Sequence, residues 1–80
     1  MREEKVKVTA YSGHRGEESP RAFLYQGKKI PVVEILKRWI EEAARERKRR
    51  RFFEARGSDG AIHRIVYDEE NFEWFYVQND

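Results

Sequence analysis

Seven consecutive residues, Arg45-Glu46-Arg47-Lys48-Arg49-Arg50-Arg51, hold six cations and run directly into Phe52 and Phe53. Guanidinium groups bind phosphate through paired N–H donors and aromatic rings stack on bases, so this juxtaposition is the usual means by which a small domain grips a nucleic-acid strand. On this reading Arg45, Arg47, Lys48, Arg49, Arg50 and Arg51 contact phosphates, and Phe52 and Trp74 offer rings for stacking. The plainer reading makes the run a solvated surface. Its charges then pair with Glu41, Glu42 and the acidic C-terminal third, while both phenylalanines fill the core.

A second candidate is the loop Ser12-Gly13-His14-Arg15-Gly16-Glu17-Glu18. Gly13 and Gly16 can expose backbone N–H groups, and His14 and Arg15 can meet an anion. No Gly-Lys-Ser/Thr ending follows, so it is not a P-loop. The competing reading is a structural turn in which Arg15 and Arg21 pair with Glu17, Glu18 or a neighbouring strand. His14 and His63 are the only histidines, there is no cysteine, and their separation has no metal-ligand spacing, so no metal or other cofactor is expected. Ser12 near His14 lacks an orienting acid and an oxyanion site, and no catalytic residue is assigned; the chain does not read as an enzyme.

The charges that frame these candidates are unevenly spread. The chain carries 17 Lys+Arg against 15 Asp+Glu, yet residues 45–56 hold +7 and −2 and residues 57–80 hold +1 and −6. A mean hydropathy of −0.99 and 40% charged positions resemble a disordered chain. Eleven aromatics, six valines and five isoleucines argue for a packed domain, and with only two leucines they favour strands. Eighty residues make one domain, 1–80, too small for a large catalytic cleft. The absence of cysteine and of any apolar run approaching the roughly 18 residues needed to cross a bilayer points to the cytoplasm, with no membrane partner.

The elements that must position these groups follow from periodicity. Lys5 to Tyr11 alternates, placing Val6, Val8 and Ala10 on one strand face. Ser12 to Pro20 reads as a polar loop, Arg21 to Gln26 as a strand, and Gln26-Gly27-Lys28-Lys29 as a tight turn. Arg50 to Arg56 and Ala61 to Tyr67 flank the hairpin signal Asp59-Gly60, and Phe72 to Val77 is a last aromatic strand. Residues 30–50 are double-valued. Val32, Ile35, Leu36, Trp39, Ile40 and Ala43 fit a helical stripe over about 32–48. The β-branched Ile30, Val32, Val33 and Ile35, following a hairpin turn, favour a strand as far as Leu36 at least, with a charged, partly helical excursion beyond Trp39.

Taken together, Tyr11 to Phe23, then Gly27 with Ile30-Pro31-Val32 leading to Trp39, then Phe52 to Gly60, and Glu73-Trp74-Phe75 resemble a family of short bacterial cytoplasmic proteins of unknown function. The order of these blocks carries the resemblance, which covers nearly the whole chain. More loosely, the same order is similar to a domain appended to the C-terminus of bacterial proteins related to the Y-family translesion polymerases. That likeness implies a strand from Ile30 to Trp39 and a link to DNA repair, and supplies no catalytic residues. This chain departs from it in the long, Arg-rich spacer between Trp39 and Phe52.

The expected fold is therefore mainly β, an antiparallel meander of five or six strands curled into a small SH3-like barrel; the alternative is α+β with one helix at about 32–48. The expected function is a binding module that contacts nucleic acid through 45–51. The alternative is a protein-interaction module that docks a partner, or a second copy, through the aromatic strand 72–77.

Overall fold

A computed structural model describes residues 2–12, 18–43 and 48–78, with side chains over 2–10, 19–42 and 49–78. Six strands follow one another: β1 (Arg2–Ser12), β2 (Glu18–Tyr25), β3 (Lys28–Ala43), β4 (Lys48–Gly57), β5 (Ile62–Asp68) and β6 (Glu73–Gln78). Each pairs antiparallel with the next, and β6 pairs with β1, so the sheet closes into a barrel in chain order. No helix occurs among the described residues, and none is long and apolar enough to cross a membrane.

Two long strands form the corners. β1 pairs with β6 over Arg2 to Val6 and with β2 over Lys7 to Ser12. β3 pairs with β2 over Lys28 to Pro31 and with β4 over Val32 to Ala43. Gln26 and Gly27 form the two-residue connection before β3, with φ of 50° and 78°, the positive values that match a hairpin to strand twist. Between β4 and β5 the Asp59-Gly60 signal lies in a longer connection. There the Asp59 carboxylate accepts the Ala61 N–H at 3.1 Å and Gly60 takes φ 84°.

The helix alternative at 32–48 is corrected over its described part: β3 is continuous from Lys28 to Ala43, and residues 44–47 lie outside the described residues. The spacing that imitated a helix has a physical cause. Register shifts between Val32 and Glu34 and between Ile35 and Lys37 insert extra residues into the strand. Val32 and Ile35 therefore pack on the same inner cluster although they are three positions apart. Trp39 joins a different cluster, and Leu36 and Ile40 are exposed. The apparent stripe is divided between the two faces of a bulged strand. The expected loop 12–20 is also shorter, because β2 begins at Glu18.

The barrel interior is filled by Phe23, Ile30, Phe53, Ile65, Tyr67 and Trp74, with Val6, Val8 and Ala10 of β1 against them. The β1 alternation thus sets its face as expected. A second cluster lies on the opposite face of the same sheet: Phe52, Val66 and Val77 are buried there, with Trp39 and Phe75 packed against them.

Candidate functional site

Consecutive residues of β4, Phe52 and Phe53, point to opposite faces and are both buried, at 4% and 3% exposure. Phe53 enters the barrel; Phe52 anchors the outer cluster. Register explains its composition. Trp39 lies opposite Phe52, Phe52 opposite Val66, Val66 opposite Phe75, and Phe75 opposite Lys5, forming one transverse row across five strands. The Trp39 and Phe52 rings stack at 5.2 Å and 14°, and Val66 within the row is fully buried. Trp39 and Phe75 remain half-exposed. They stand three inter-strand spacings apart, roughly 14 Å.

Cations frame this row. The Arg50 guanidinium lies 5.4 Å from the Phe52 ring centre, while Arg64 and Lys37 lie 5.5 and 5.9 Å from that of Trp39. Carboxylates hold most of them in turn. Arg64 donates to Glu54 at 2.6 Å, Arg50 to Glu3 at 2.5 Å, and Lys5 is 3.3 Å from Glu73. The Trp39 indole N–H donates to Glu41 at 3.0 Å.

The arginine run is divided by the same alternation. Arg50 lies over the outer cluster, whereas Arg49 and Arg51 project from the other face of β4. There both meet one carboxylate, that of Glu69, at 3.2 Å each. Arg49 is also 3.8 Å from Glu42. Each of these three arginines therefore faces an acidic residue: Arg49 and Arg51 pair with Glu42 and the acidic C-terminal third, whereas Arg50 pairs with Glu3 of β1.

Of the other nucleic-acid candidates, Arg45 and Arg47 lie outside the described residues, as does the side chain of Lys48. Gly13, His14, Arg15 and Gly16 also lie outside them. Trp74 turns into the barrel at 7% exposure, with Phe53 and Tyr67 against its ring at 5.8 and 4.7 Å. Phe52 is covered by Trp39 and Arg50. Neither ring presents an open face to a base. The structure thus brings Arg50 and Phe52 together, separates them from Trp74, and places the half-exposed Trp39 in the row instead. The row was hidden in the sequence because its members sit on five different strands. The available signal was the pair of adjacent aromatics Phe52-Phe53, which requires two apolar faces on one strand.

A polar chain closes one end of the barrel. His63, buried between strands, has Nε2 3.0 Å from an Asp59 oxygen and Nδ1 2.7 Å from the Tyr76 hydroxyl. Because the carboxylate only accepts, Nε2 carries a hydrogen and donates to Asp59. In the neutral ring the Tyr76 O–H then donates to Nδ1. The Ala61 backbone N–H and the His63 ring hold the Asp59 carboxyl below its ordinary 3.8. Burial, with Tyr25 and Asp59 nearby, pushes the Tyr76 phenol up. A raised phenol stays protonated, the opposite of an activated nucleophile. The chain ties the β4–β5 connection to β6. The Phe23 ring meets His63 edge-on at 5.0 Å, and Tyr25 stacks on Tyr76 at 3.9 Å. Among the described residues no three His, Asp or Glu side chains gather as metal ligands.

Compared with known proteins, the chain matches no family model, no curated protein and no solved structure.

Proposed function

We propose that this chain is a cytoplasmic protein-interaction module whose docking surface is the outer face of β3, β4, β5 and β6. The observation that carries this reading is the transverse row ending in the half-exposed rings of Trp39 and Phe75. Aromatic anchors over a packed, desolvated base are what protein interfaces use, and charged groups at their edges form the polar rim. Phe72 adds to it: this residue is 78% exposed and takes φ 56° in the connection to β6, a conformation that costs a bulky residue stability. Arg49, Arg50 and Arg51 already face carboxylates, and Phe52 and Trp74 are covered, which leaves few of the groups a phosphate-and-base site needs.

Nucleic-acid binding is the second reading, and a different surface now favours it. Lys7, Leu24 and Lys29 lie opposite one another across β1, β2 and β3, and among the described residues neither lysine has a carboxylate partner. Such a row presents unpaired positive charge beside an exposed apolar side chain.

Backbone amide spectra recorded with single- and double-stranded DNA and RNA at two salt concentrations separate the two. The interaction reading expects no shift at Arg49 to Phe53, and capture of a protein partner that survives high salt but is lost in Trp39→Ser and Phe75→Ser. Shifts at Arg49 to Phe53 or at Lys7 and Lys29 that fade steeply with salt would establish nucleic-acid binding and sink the docking face.

A further inference from the structure

We infer that the chain forms a two-fold dimer by antiparallel pairing of β3 with β3 of a second copy, centred on Trp39. This goes beyond the docking face, since it uses the edge of the sheet. Among the described residues β3 has β4 along one side from Val32 to Ala43 and β2 along the other only from Lys28 to Pro31. The β2-side edge beyond Pro31 is therefore unpaired, and its backbone N–H and C=O groups are those a further strand would meet. The two bulges lie within Val32 to Lys37, which roughens the first part of this edge. From Lys37 to Ala43 the register with β4 runs without interruption, so this segment is a regular strand. Apart from the half-buried Trp39, its described side chains are exposed.

Sequence selects the occupant. Edge strands are normally kept apart by charge, and a run of one sign repels an antiparallel copy of itself. This run changes sign at its centre: Lys37-Arg38-Trp39-Ile40-Glu41-Glu42. A two-fold axis perpendicular to the sheet pairs residues that share a face. With the axis at Trp39, Lys37 stands opposite Glu41 of the second copy, and the converse, both on the face that carries Trp39. On the other face Arg38 stands opposite Ile40 of the second copy and diagonal to its Glu42, within reach of a guanidinium. Among the described residues Lys37 and Arg38 have no carboxylate partner and Glu41 has no cation, so the strand holds unspent charges of both signs in self-complementary order. Pairing joins the two sheets and brings the two Trp39 rings side by side, extending the row of one copy into that of the other.

Sedimentation velocity over a concentration series tests this, with Lys37→Glu and Glu41→Lys as the perturbations. The expected result is a species of twice the 9.7 kDa chain mass that dissociates on dilution. Each single reversal should leave a monomer with an unchanged amide spectrum of the barrel, because both positions are exposed. An equimolar mixture of the two variants should recover the dimer: the reversed position 37 of one then faces the reversed position 41 of the other, and the untouched Glu41 and Lys37 face each other. Phe75→Ser, which weakens the docking face, should leave self-association intact. A wild-type chain that stays monomeric throughout the series, or a dimer indifferent to both reversals, overturns the proposal, whatever the fate of the docking face.

Discussion

Replacing Phe52 by leucine asks whether the outer cluster is a second core or a binding surface held open for a ligand. The ring is 4% exposed, stacks on Trp39 at 5.2 Å, and lies 5.4 Å from the Arg50 guanidinium. Losing the stacked pair costs about 0.5–1.5 kcal/mol and the cation contact about 0.5–1. The change of shape in a packed site adds less than about 1.5 kcal/mol. A total of roughly 2 kcal/mol follows, against about 4–12 kcal/mol expected for a folded chain of this length. The variant therefore still folds, whereas alanine, at about 3–5 kcal/mol, would come close to unfolding it. For a domain of this size the loss corresponds to a fall in Tm of roughly 8–16 °C, read by calorimetry or by tryptophan fluorescence, since Trp39 reports directly on the altered site. A fall of under about 2 °C would refute the second core and return Phe52 to the role of an available ring.

Three further outcomes follow from local geometry. A Cβ added at Gly57 would lie 2.6 Å from an Asp59 oxygen and 2.7 Å from Ile30 Cγ2, so Gly57→Ala should cost about 1–3 kcal/mol in urea unfolding; a neutral result would mean that the connection yields freely. The depressed Asp59 carboxyl contributes stability that is fully present above its unfolded value near 3.8 and is lost as pH falls through the folded value. Wild type should thus lose more Tm between pH 5 and pH 3 than Asp59→Asn, and parallel curves would remove the carboxylate from that role. Phe72→Asn relieves a left-handed conformation that asparagine tolerates, so it should raise stability by about 0.5–1 kcal/mol while weakening capture of a protein partner; unchanged capture would take Phe72 out of the interface.

The barrel was legible where alternation is unbroken. Lys5 to Tyr11 and the β4–β5 hairpin follow simple period-two patterns, and valine, isoleucine and aromatic residues marked the chain as β. The helix reading arose where bulges break the alternation at Val33 and Leu36, because an extra residue turns a step of two into a step of three. Only long-range pairing with β4 distinguishes that from helical periodicity. The charge blocks were legible as blocks, and the pairing option offered for them matches Arg49 and Arg51 on Glu69. Their division between two faces depends on register. Trp74 and Trp39 could not be told apart by type; parity on β6 and the second bulge on β3 send one inward and the other out.

Closure of the barrel by its first and last strands governs how the protein is made. Arg2 pairs with Gln78 and Val6 with Trp74, so β1 has no partner on its β6 side until β2 to β5 and then β6 itself have been synthesised. These contacts span most of the sequence, and topologies dominated by such distant pairings fold slowly. During that interval β1 exposes a bare edge. Its alternating Glu3 and Lys5 then serve as gatekeepers that discourage association between nascent chains before β6 arrives to cover it.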